Sequence, residues 1–149
     1  MKKLILIILT IAAITAGCIK YEEGPCMSML SVEDRLFGDY DVSVYTVNGI
    51  DSISNLQNRF GLKFHFYFNN QSSANNLKID GNNSPSPFIG RYVFINHYKE
   101  IEVTYGSIIL TGYGNADIDD IIFKILKLKK SDVHLETAYK GSTYNIKLK

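Results

Sequence analysis

Apolar side chains recur at every second position through much of this chain. Leu62, Phe64, Phe66 and Phe68 alternate with Lys63, His65 and Tyr67, which predicts a strand over Leu62–Phe68 with the four apolar residues on its packed face. Asp41–Val47 alternates as well, with Val42, Val44 and Thr46 on one side and Ser43 and Tyr45 on the other, and Asn48-Gly49 supplies a turn. Further strands are predicted over Leu77–Asp80, Phe88–Ile95, Ile101–Tyr105, Ile108–Tyr113, Ile121–Leu128, Val133–Thr137 and Thr143–Leu148. The polar stretch Asn69–Asn76 and the proline-containing Gly81–Pro87 read as loops. Ser31-Val32-Glu33-Asp34 has the form of a helix cap, good for a turn or two of helix before Gly38, and Ile53, Leu56 and Phe60 fit a short helix or an ordered loop. Eight or nine short strands with one or two brief helical segments predict an all-β fold, a small antiparallel barrel or sandwich. No helical crossover of the kind a parallel sheet needs is evident.

The first 17 residues do not belong to that pattern. Lys2 and Lys3 precede an apolar run from Leu4 to Ala16, too short for the roughly 20 residues that span a bilayer, and the small pair Ala16-Gly17 follows. This is the layout of a cleaved signal. Thr15-Ala16-Gly17-Cys18 resembles the bacterial lipobox, although Thr15 stands where Leu is usual. The resemblance implies that Cys18 is acylated and becomes the first residue of the mature chain, with its acyl chains held in the lipid bilayer. The expected organisation is a lipoprotein signal at 1–17, a lipidated tether at 18–27 and one folded domain at 28–149. Lys20-Tyr21-Glu22-Glu23 in the tether resembles the export signals of lipoproteins displayed on the outer membrane of Bacteroidota. With Cys18 acylated, Cys26 is left as a lone thiol with no base beside it in sequence.

Charge and composition narrow the function classes. Without Lys2 and Lys3 the 16 basic residues become 14, against 15 acidic, so no basic field invites nucleic acid. There are 10 Tyr and 8 Phe but no Trp, a β-leaning aromatic content. His65, His97 and His134 are isolated and read as surface or rim residues; no metal-ligand spacing joins them. Asn115-Ala116-Asp117-Ile118-Asp119-Asp120 is rich in oxygen ligands but lacks the Gly and Glu of a calcium loop, and reads as a solvated acidic loop. Adjacent Asp119 and Asp120 do not form the opposed carboxylate pair of a glycosidase. Gly112-Tyr113-Gly114 does not cradle a dinucleotide, and no serine sits in a nucleophile elbow. The expectation is a non-enzymatic protein with no catalytic residue, no metal and no cofactor.

Three segments together carry a family resemblance: the lipobox with its Tyr-Glu-Glu-Gly-Pro tether; Arg35-Leu36-Phe37-Gly38-Asp39-Tyr40-Asp41-Val42 with Val47-Asn48-Gly49; and the run from Ile121 to Leu128, Lys129-Lys130-Ser131 and Val133-His134-Leu135-Glu136, closed by Tyr144-Asn145-Ile146. The chain resembles the small lipocalin-like lipoproteins of Bacteroidota. That resemblance implies an up-and-down barrel, lipocalin-like, on an outer-membrane lipid anchor, with Tyr40 where the group usually has Trp. Tyr40 would floor the barrel and its hydroxyl would need a partner. Asp51-Ser52-Ile53 also resembles the short sites at which Bacteroidota attach O-glycans. Two functional readings stay open. A hollow barrel would bind a small apolar ligand; a filled one, crowded by Phe64, Phe66, Phe68, Phe88, Phe94 and Phe123, would be an interaction module. Its rim tyrosines Tyr67, Tyr98, Tyr113 and Tyr139 would then meet an envelope protein or a glycan.

Overall fold

The computed structural model describes residues 30–71, 74–82, 87–112 and 118–149. The expected signal at 1–17, the whole of the expected tether at 18–27 with Cys18 and Cys26, and Tyr113–Asp117 lie outside them. The elements are α1 (Val32–Leu36), β1 (Gly38–Val47), β2 (Ile50–Asp51), α2 (Ile53–Phe60), β3 (Phe64–Gln71), β4 (Ala74–Gly81), β5 (Phe88–Ile95), β6 (Glu100–Val103), α3 (Ser107–Thr111), β7 (Ile121–Lys129), β8 (Asp132–Tyr139) and β9 (Ser142–Leu148). Apart from β2, each strand pairs antiparallel with the strand before and after it, and β1 closes onto β9. The result is an eight-stranded up-and-down barrel with β2 as a two-residue extra strand hairpinned onto the end of β1. The all-β fold predicted from alternation, and the small lipocalin-like up-and-down barrel that the family resemblance implies, are the fold observed.

Both ends of the barrel are stoppered. At one end Ser31 caps α1, its Oγ accepting from the Asp34 amide at 3.0 Å, and α1 lays Val32 and Leu36 on the core. At the other end α2 inserts Leu56 and Phe60, and α3 inserts Ile108, Ile109 and Leu110. Arg59 ties these two helices together by donating from Nη1 to the Ile109 carbonyl at 2.8 Å. The C-terminus of α2 sits directly on β4: a Cβ at Gly81 would overlap the Phe60 carbonyl, so only glycine fits there.

Several sequence expectations need correction. Ile108–Tyr113 was expected as a strand, but Ser107–Thr111 is a helical turn, bracketed by Gly106 and Gly112, with the Gly112 amide bonded to the Ile108 carbonyl. Its continuous apolar run has no period of two, and capping the barrel buries all three apolar side chains at once. This makes three short helices among the described residues rather than one or two. Leu62 is 72% exposed instead of facing the core, because the chain bends after Gly61 (φ 99°) and the strand begins only at Phe64. On β1 the expected grouping of Val42, Val44 and Thr46 on one face against Ser43 and Tyr45 is broken: a bulge between Val42 and Val44 inserts one residue and inverts the alternation, so that Tyr40, Val42, Tyr45 and Val47 face inward. The strand expected at Leu77–Asp80 runs from Ala74 to Gly81, and Asn69–Gln71 extends β3, so most of the polar stretch is strand paired edge to edge.

Candidate functional site

The interior comes first, because an eight-stranded barrel is just wide enough either to be filled by side chains or to hold one small ligand. Here Tyr40, Phe66, Phe68, Phe88, Tyr92 and Phe123 are each at most 2% exposed. A ring facing a water-sized void would be exposed to it, so the described part of the lumen is packed. The rings interlock edge to face: Tyr40 on Phe68 at 6.0 Å, Phe68 on Tyr92 at 5.3 Å, and Tyr92 on Phe94 at 5.8 Å between centroids. Tyr40 does floor the barrel beside α1, and its hydroxyl shares its proton between the carbonyls of Arg35 (3.0 Å) and Leu36 (3.1 Å). These carbonyls at the end of α1 lie too close to its terminus for a full set of helical partners. Tyr92 differs: its buried hydroxyl has no hydrogen-bond partner. Tyr45, near the α2 end, is buried beside Arg59, whose guanidinium opposes the rise in its pKa. Burial pushes Tyr40 and Tyr45 up to about 12 and Tyr92 further in the same direction.

The outer surface of β1, β3 and β4 carries a different chemistry. Register aligns two cross-strand rows there: Asp41, His65 and Asp80 in one, Asp39, Tyr67 and Lys78 in the next. Together with Lys63, Asn69, Gly81 and Asn82, residues of these rows line an open groove of about 730 Å³. Its far end is closed where the Asn82 amide donates to the Lys63 carbonyl and the Lys63 amide to Asn82 Oδ1. His65 Nδ1 lies 3.0 Å from Asp41 and 3.7 Å from Asp39. Lys78 Nζ is 2.6 Å from Asp80, and that ammonium holds the Asp80 carboxyl below the usual carboxylate range. Tyr67 is the middle residue of the second row, between Asp39 and Lys78, and is 42% exposed. Alternation in the sequence placed Lys63, His65 and Tyr67 on one outward face. Asn69 continues that face once β3 runs on to Gln71, whereas Asp39, Lys78, Asp80 and Asn82 come from other segments brought alongside by strand pairing.

The remaining sequence candidates scatter. His65 lies in the groove and His97 is exposed in the turn after β5. His134, expected at the surface or rim, is only 8% exposed and sits 3.0 Å from Asp132, which also holds Lys127 at 2.6 Å. It points outward from β8 as alternation requires, but neighbours cover it. Lys127 accordingly holds the Asp132 carboxyl below its usual range. Asp119 and Asp120 brace the loop around α3: Tyr139 donates to Asp119 Oδ2 at 2.7 Å, and the Tyr105 amide donates to Asp120 Oδ1 at 2.9 Å. Tyr139 is therefore tied down and half-buried, whereas Tyr98 is exposed like Tyr67. Ser52 stands at the N-cap position of α2 but gives its hydroxyl to the Ile50 carbonyl, while Asp51 Oδ1 accepts from the Ile53 amide. Among the described residues no three His, Cys, Asp or Glu side chains are placed to share a metal ion. Among known proteins, the chain matches no family model, no curated sequence and no solved structure.

Proposed function

We propose that this protein is a non-enzymatic lipoprotein of the outer membrane, anchored through acylated Cys18, whose filled barrel is a rigid scaffold that meets an envelope or extracellular partner through its outer surface. The observation that carries this reading is the packed interior: interlocked aromatic rings occupy the space a carrier would leave open. What supports the anchor is the short apolar run ending in Ala16-Gly17-Cys18. Two measurements test the two halves. Intact mass of the membrane form should show acyl chains on a mature N-terminus at residue 18, and Cys18→Ser should abolish them; an unmodified terminus ends the anchor reading. A fluorescent fatty acid should show no saturable uptake by the detergent-solubilised protein. Saturable uptake lost on substituting core residues would instead make it a lumen carrier.

A further inference from the structure

We infer that the groove on β1, β3 and β4 is a saccharide site, with Tyr67 as its stacking platform and uncharged, hydroxyl-rich glycan as its ligand. The inference rests on the outer-surface reading above and gives that surface a ligand class. Four observations carry it. Tyr67 presents its ring beside carboxylate and amide groups rather than beside other apolar side chains, the combination that seats a sugar ring's C–H face while its hydroxyls are bound around the edge. The lining holds strong acceptors in Asp39 and Asp80, amides in Asn69 and Asn82, and donors in Lys63 and Lys78, so hydroxyls can be met in both senses. Asn69 Oδ1 is shielded and accepts no hydrogen bond within the fold, an acceptor at the groove left for a ligand hydroxyl. Finally, Lys63 and Lys78 are outnumbered by Asp39, Asp41 and Asp80 on this face, which disfavours phosphate and acidic glycans. A peptide adding itself as a strand is disfavoured too, because β1, β3 and β4 each have a partner strand on both sides in the closed barrel.

The test is affinity electrophoresis of the full-length protein in detergent through native gels containing laminarin, galactomannan, xyloglucan or dextran, with chondroitin sulfate as the acidic comparison. At least one neutral polysaccharide should retard the protein, and chondroitin sulfate should not. Tyr67→Ala should weaken that retardation at least tenfold, Tyr67→Trp should keep it, and Tyr98→Ala, an equally exposed tyrosine outside the groove, should leave it unchanged. Urea midpoints of the variants should match the parent, since Tyr67 lies outside the core. Retardation by none of the four neutral polymers, retardation indifferent to Tyr67→Ala, or preference for chondroitin sulfate would each overturn the saccharide site. Each of these would leave acylation of Cys18 and the packed lumen standing, so failure here is separable from failure of the scaffold reading.

Discussion

Tyr40 and Tyr92 offer a matched pair in which one chemical change, Tyr→Phe, should act with opposite signs. Both rings lie in the same edge-to-face stack, both are at most 2% exposed, and each variant keeps its ring. The Tyr40 hydroxyl serves two carbonyls at the end of α1. Tyr40→Phe leaves them buried without that donor, which costs about 1–2 kcal/mol. The Tyr92 hydroxyl is buried with no partner. Its removal relieves a desolvation penalty of about 1–3 kcal/mol, partly offset by the small void left behind, so Tyr92→Phe should gain about 1 kcal/mol. The two variants should therefore differ by about 2–3 kcal/mol, well outside the error of linear extrapolation in urea. Equilibrium urea unfolding followed by far-ultraviolet circular dichroism measures both on one scale, with equal slopes expected because the exposed surface barely changes. If Tyr92→Phe is destabilised by 1 kcal/mol or more, that hydroxyl has a partner and the reasoning fails. If both variants shift equally in the same direction, hydrogen bonding at these two sites is not what distinguishes them.

Other outcomes follow from the same geometry. Phe66→Ala should cost about 3–5 kcal/mol, whereas Leu62→Ser should change stability by less than about 0.5 kcal/mol; comparable losses would mean that Leu62 packs after all. Gly81→Ala forces a methyl group into the Phe60 carbonyl and should cost about 1–3 kcal/mol or more, read as a lowered urea midpoint; an unchanged midpoint would show that α2 does not rest on β4. Tyr40 and Tyr45 have folded-state pKa values of about 12 against an ordinary 10.0, so the unfolded chain releases those protons first as pH rises. Their contribution is complete below pH 10 and is lost between about 10 and 12, so stability should fall steeply across that window, with late phenolate absorbance at 295 nm as the readout. The lowered carboxyls of Asp80 and Asp132 act in the opposite sense: their contribution is present above the usual 3.8 and is lost as pH falls through their folded-state values. Lys127→Met should therefore flatten the acid limb of the stability profile.

The alternation of apolar and polar residues was sufficient for the fold class, because burying one face of a strand is a local instruction repeated along the chain. The Ser31 cap of α1, the Asn48-Gly49 turn and the inward set Phe64, Phe66 and Phe68 were legible for the same reason. The lipobox reading also comes from sequence alone, since it concerns residues before the described fold. What sequence could not convey depended on contacts between distant segments. The bulge on β1 exists because β9 pairs past it, and it reversed the faces of Val44 and Tyr45. Ile108–Leu110 became helical because the open end of a barrel needed a stopper, a demand that no window of neighbouring residues encodes. Polar Asn69–Gln71 entered the sheet because pairing with β4 satisfies backbone groups whatever the side chains prefer. His134 was covered by its surroundings, and Asp39, Tyr67 and Lys78, drawn from three strands, became neighbours only through register. Local periodicity determined which faces are buried; closure and register, which are long-range hydrogen-bond choices, decided which outward residues stand together, and that is where the candidate site resides.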